Sequence, residues 1–170
     1  DSPNQIENFQ REFYKQTKSP LLKNAPFTEW TEVFDFISNY ISASDKKIVL
    51  VLDEIQWMAA KKSKLISLIK MYWDQNWEAS KKIQLILCGS IASFMFDQVI
   101  HGKALYGRID LELHIKEMAP KHVEKIVSGN LLPEDFFRWY LVLGGVPKYY
   151  TLIDPSKSYI QNMESLFYSE

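Results

Sequence analysis

The run Ile48-Val49-Leu50-Val51-Leu52 constrains this chain more than any other feature. Five consecutive apolar residues without alternation predict a strand with no wet face, the pattern of a parallel sheet covered on both sides. A second buried strand is expected downstream over Ile83 to Cys88, with Leu85 to Cys88 as its clean apolar run, and it ends at Gly89-Ser90. Between them, Leu65, Leu68, Ile69, Tyr72 and Trp73 fall on one helical face, predicting a helix from about Lys64 to Trp77. Strand, helix and strand at this spacing is an α/β arrangement with a right-handed crossover.

The flanking sequence extends the pattern. Ser2, Pro3 and Gln5 form a helix start with a capping box, and Ile6, Phe9, Gln10 and Phe13 continue it up to Ser19-Pro20. After Thr28, residues Trp30, Val33, Phe34, Ile37 and Ile41 share one face of a second helix. A helix is also expected from Ile91 to His101. The alternation Leu111-Glu112-Leu113-His114-Ile115 predicts a third strand with one wetter face. Beyond Ala119-Pro120 only helical patterns remain, Pro120 to Val127, Pro133 to Leu143 and Pro155 to Phe167, with Gly129 and Gly144 at C-cap positions. The expected organisation is an α/β core over 1–117 and a small helical subdomain over 118–170.

Composition narrows the function classes. The net charge of -1 makes no demand for nucleic acid or an acidic membrane. The longest apolar runs are too short to span a bilayer, so no membrane partner is expected. One cysteine, Cys88, excludes an internal disulfide; with no signal peptide opening the sequence, a cytoplasmic setting is expected.

Asp53-Glu54 falls directly at the carboxyl end of the first strand, where open α/β sheets bind ligands. In a phosphate-handling site the first carboxylate can hold a Mg²⁺ shell and the second can deprotonate a water. The plainer alternative is that Asp53 caps the next segment and Glu54 is merely solvated. Ser90 ends the second strand at the same sheet edge, either sensing phosphate or water there or N-capping the next helix. Arg108 offers a permanently charged fork suited to phosphate oxygens, or a surface ion pair with Asp110 or Glu112. Gly144-Gly145-Val146-Pro147 reads on chain physics as a C-cap followed by a helix breaker. His101, His114 and His122 have no metal-ligand spacing, and Cys88 has no evident base. Lys46-Lys47 and Lys81-Lys82 precede the two strands and cluster at the opposite edge, either as solvated strand entries or as a modest nucleic-acid patch.

Together these elements resemble the AAA+ and STAND-like P-loop ATPases, especially the archaeal ATPase family. The segment from Ile48 to Gln56, with Asp53-Glu54-Ile55-Gln56 at its end, resembles the Walker B strand. Leu85-Ile86-Leu87-Cys88-Gly89-Ser90 is similar to the sensor-1 strand, and Leu105-Tyr106-Gly107-Arg108 to the arginine segment before the last core strand. Gly145-Val146-Pro147 resembles the Gly-x-Pro motif that lies against the nucleotide. The resemblance implies ATP as substrate, Asp53 on Mg²⁺, Glu54 as the water-activating base and Ser90 near the terminal phosphate. It also implies Pro147 near the adenine, Gly145 in the same motif against the nucleotide, and Arg108 as a finger in cis or in trans. The implied fold is a partial P-loop NTPase (AAA+-like) parallel sheet with flanking helices and a helical lid.

One departure qualifies all of this. None of the six glycines, at 89, 102, 107, 129, 144 and 145, begins a Gly-x-x-x-x-Gly-Lys-Ser/Thr loop. The resemblance implies that this loop and the central first strand lie upstream of Ser2. Strands at Ile83-Cys88 and Leu111-Ile115 would then each lose a neighbour, leaving edges open to self-association. The expected function is that of an ATPase fragment that alone binds nucleotide poorly. The alternative is a non-enzymatic module that binds protein or nucleic acid, with Phe136, Phe137, Trp139, Tyr140, Tyr149 and Tyr150 as a candidate surface.

Overall fold

The computed structural model of the chain describes residues 2–19, 22, 26–59, 63–127 and 131–168. It is mixed α/β, mostly helical, and divides into two compact units, Asp1–Leu111 and Glu112–Glu170. The side chains of Ser2 and Pro3, and Gly129, fall outside the described residues, and with them two expected caps.

The first unit opens with helices α1 (Ser2–Thr17) and α2 (Trp30–Ala43). All five apolar stripe residues of α2 are buried, and each such side chain contributes about 1.5–3 kcal/mol of burial. Glu29 and Glu32 close a capping box at its start. Strand β1 (Ile48–Leu52) is followed by a short helix α3 (Ile55–Met58). Helix α4 (Leu65–Tyr72) continues through a π-helical turn, Trp73–Trp77, into Glu78–Ser80. Strand β2 (Ile83–Leu87) then pairs parallel with β1, Ile48 opposite Ile83 and Leu52 opposite Leu87. After β2, helix α5 (Ala92–Phe94) runs into a second π-helical stretch, Met95–Ile100. Leu50 and Leu52 join Ile6, Phe34, Ile37 and Ile69 in one core cluster.

Two strand expectations are corrected. The burial of β1 is one-sided, because Leu50 and Leu52 face the helices while Val49 (57% exposed) and Val51 (50%) face away. Among the described residues no second layer covers that face. Residues 111–115 form no strand: Leu111 is 72% exposed and Ile115 84%, and among the described residues the sheet has two strands. Alternation suits a strand, but a strand also needs a partner for its backbone groups, and among the described residues none pairs with this segment.

The second unit contains α6 (Pro120–Val127), α7 (Pro133–Leu143), α8 (Pro147–Tyr150) and α9 (Tyr159–Phe167) around Val123, Phe136, Trp139 and Tyr150. The last helix starts later than the sequence pattern suggests. Ser158 N-caps it with Gln161 completing a capping box, which leaves Pro155 in the preceding loop. Buried Asn162 holds that loop: its Oδ1 accepts the Asp154 N–H (2.8 Å), and its amide faces the carbonyls of Asp154, Lys157 and Ser158. Nothing local in the sequence singles out Asn162, since its partners are backbone groups.

Candidate functional site at the end of strand β1

The ladder between β1 and β2 continues past both strands. The Cys88 N–H donates to Leu52 C=O (3.0 Å), and the Cys88 C=O accepts from Ile55 N–H (2.9 Å). Asp53 and Glu54 therefore form a two-residue turn pinned on both sides by one residue of the neighbouring strand. The pinning puts Glu54 in the left-handed region, φ 53° and ψ 44°. A residue with a β-carbon sits there at a cost of about 1–2 kcal/mol. The Asp53 Oδ1 accepts the Glu54 N–H (3.0 Å), which steadies the turn.

This turn carries the Glu54 carboxylate to Ser90, 36 residues away in sequence. The Ser90 hydroxyl donates to Glu54 Oε2 (3.0 Å). Gln56 Nε2 donates to the same carboxylate oxygen and also lies 3.1 Å from Ser90 Oγ. The three side chains close a triangle across the sheet edge. Ser90 caps no helix: Ile91 occupies the N-cap of α5, without a side-chain cap bond. Beside the triangle a groove of about 370 Å³ opens, lined in part by Gln5, Phe9, Val51, Asp53, Glu54 and Trp57.

Asp53 is exposed, and among the described residues its second oxygen has no hydrogen-bond partner. One free carboxylate suits Mg²⁺, which keeps most of its own waters and needs few protein oxygens. Among the described residues no three His, Cys, Asp or Glu side chains converge, so a closed metal cage of protein ligands is not formed. A nucleotide's phosphates fit less well, because the chain has no glycine loop of the required spacing to receive them.

Arg108 lies apart from the triangle. A tight turn closed by Arg108 N–H to Leu105 C=O (3.0 Å), with Gly107 at φ 75°, delivers it to the π-helical turn of α4. There its Nε and Nη2 grip both oxygens of Asp74 at 2.6 and 2.9 Å, and Lys70 adds a third contact at 2.9 Å. The partner is neither Asp110 nor Glu112. Hydrogen bonds from Arg108 and Lys70 hold the Asp74 carboxyl down at about 2, from an ordinary 3.8. A depressed carboxyl stabilises the fold above its unfolded value, and that stability is lost as pH falls through the folded one. Asp74→Asn is therefore expected to lower the Tm at pH 7, while wild type and variant converge near pH 2; thermal melts at both pH values check this.

Gly145 and Pro147 belong to the second unit. Gly144 is the C-cap of α7, Pro147 starts α8, and Gly145 C=O accepts the Met118 N–H (2.9 Å). Of the six tail aromatics, Phe136, Trp139 and Tyr150 are buried, and only Phe137 and Tyr149 are exposed.

The lysine pairs lie together at the opposite edge, as the parallel register requires, with Ile48 N–H bonded to Lys82 C=O (2.7 Å). Lys82 is spent on Ser44 C=O (2.7 Å). The sequence pattern identified Glu54 and Ser90 but gave no role to Gln56, whose only signal was its place at the end of the Asp53-Glu54-Ile55-Gln56 segment. No protein-family model, curated protein or solved structure matches this chain.

Proposed function

We propose that this chain carries the Walker B and sensor-1 half of a P-loop ATPase site, with Glu54 as the base that activates water and Asp53 as the Mg²⁺ ligand. The observation that carries the reading is the hydrogen-bonded convergence of Glu54 and Ser90 at the carboxyl end of two parallel strands. Ligands of open α/β sheets collect at that edge. Hydrolysis at such a site moves one proton from water to Glu54 while the water oxygen bonds to the terminal phosphorus and ADP leaves. Mg²⁺ held at Asp53 would neutralise phosphate charge.

The phosphate-gripping loop is supplied from outside these residues. Support comes from the exposed side chains of Val49 and Val51, from the two strands, which among the described residues pair with no further strand, and from the exposed apolar side chains at 111, 113 and 115. A sheet with further strands and a second helical layer would bury all of these, and without them the edges invite self-association. Arg108 acts as a finger only if Asp74 releases it, so in the resting chain it braces the fold. Gly145 and Pro147 serve as nucleotide contacts in the same reading.

A second reading, a non-enzymatic interaction module, is favoured by one observation. Helix α7 turns Phe137 (60% exposed) and Leu141 (85%) outward one turn apart. ATP turnover with and without Mg²⁺, by the protein in which this chain is joined to a phosphate-binding loop, decides between the two. Mg²⁺-dependent hydrolysis supports the ATPase; no nucleotide binding at all favours the module.

A further inference from the structure

We infer that Gln56 is a positioning residue for Glu54, and that it leaves the carboxylate's Oε1 as the oxygen that takes the proton from water. The inference rests on the ATPase reading of Glu54. Gln56 is 5% exposed, in the first turn of α3, an unusual place for a carboxamide unless it is tied down. Its Nε2 reaches both Glu54 Oε2 and Ser90 Oγ, and Ser90 donates to that same Oε2. Two donors on one carboxylate oxygen fix the rotation of the group. The other oxygen, Oε1, has no hydrogen-bond partner among the described residues and is the one left for water.

The carboxamide cannot turn over without loss. Its own Oε1 is buried and has no hydrogen-bond partner among the described residues. Reversing the amide would set that oxygen against Glu54 Oε2, which already accepts from Ser90, two acceptors facing each other. Gly89 leaves the space the amide needs: a β-carbon there would lie 2.6 Å from Gln56 Oε1. Gln56 and Ser90 thus act on the carboxylate as one unit, and only Glu54 needs to meet the water.

The experiment has two arms. In the ATP-hydrolysing protein, Gln56→Met keeps the side-chain length but removes the donor. It is expected to lower kcat about 10–100-fold, the scale set by a slightly misplaced catalytic group, with KM for ATP within twofold. In a Glu54→Gln background the same change should add less than twofold. Ser90→Ala should act in the same direction and Ser90→Thr should restore turnover, which keeps the test open if Gln56→Met does not fold. In the 170-residue chain itself, the Gln56 side-chain NH₂ resonances should move on Glu54→Ala and on Ser90→Ala. Unchanged kcat in Gln56→Met, an equal loss in the Glu54→Gln background, or NH₂ resonances indifferent to Glu54→Ala would each overturn the inference. Turnover untouched by Glu54→Gln is a separate failure, which overturns the base assignment itself.

Discussion

If Glu54 is the proposed base, Glu54→Gln in a protein carrying the complete site is expected to lower ATP turnover about 10²–10⁴-fold, the usual contribution of a general base, while ATP affinity stays within about threefold. The substitution is nearly isosteric. The amide oxygen can still accept from Ser90 and from Gln56, so the turn between Leu52 and Ile55 keeps its pins at Cys88. What disappears is the capacity to take a proton. Binding is spared because phosphate affinity resides in backbone amides and a lysine of a P-loop, not in the base. Single-turnover hydrolysis and equilibrium ATP binding, measured on the same preparation, separate these effects. Turnover within threefold of wild type would remove Glu54 from its role.

Gly145→Ala is expected to destabilise the second unit strongly. A β-carbon at Gly145 would lie 2.3 Å from Met118 O and 2.6 Å from Met118 N, both backbone atoms that cannot swing aside. The crossing is braced on each side, by Tyr140 Oη donating to Met118 C=O (2.9 Å) and Tyr150 Oη donating to Gly144 C=O (2.6 Å). Forcing a methyl into such a contact costs about 2–4 kcal/mol. A unit as small as the second one has only about 3–9 kcal/mol in total, at 0.05–0.15 kcal/mol per residue. The melting transition of the second unit should fall by about 10–20 °C, while the exposed control Leu141→Ala moves it little. Equal Tm values for Gly145→Ala and wild type would mean that the chain does not make this crossing.

The same glycine marks how far the sequence could be read. Gly144 as a helix end follows from local backbone preferences, and the structure has it, whereas Pro147, expected as a helix breaker, starts α8. The close passage of Gly145 against Met118 joins segments 27 residues apart, and nothing in either segment announces it. The stripe of α2 was legible for the same local reason: 3.6-residue periodicity states its own buried face. Both strands of the sheet were legible as apolar runs, but the two-sided burial expected of β1 is not what the structure has, because a run records what a sheet face could bury rather than what covers it. The alternation at 111–115 misled for a related reason, since pairing depends on a neighbour elsewhere in space.

Within the candidate site, Asp53, Glu54 and Ser90 were legible from their positions at strand ends. The partners of the charged groups were not. Arg108 finds Asp74 across 34 residues, made reachable by a π-helical turn that no residue pattern signals. Gln56 appeared only as the end of an Asp-Glu-Ile-Gln segment, and its importance depends on where Ser90 comes to rest.

The most direct test of the central proposal, that Asp53 and Glu54 are half of an ATPase site, compares two proteins under the same conditions. One is the 170-residue chain; the other is the same chain joined to the coding sequence that precedes it in its gene. ATP binding by calorimetry and phosphate release with Mg²⁺ are measured on both. The proposal expects a Gly-x-x-x-x-Gly-Lys-Ser/Thr loop in the added segment, Mg²⁺-dependent hydrolysis in the longer protein, and weak or no binding in the shorter one. A longer protein that neither binds nor hydrolyses ATP, or a 170-residue chain that hydrolyses it as fast alone, would contradict it.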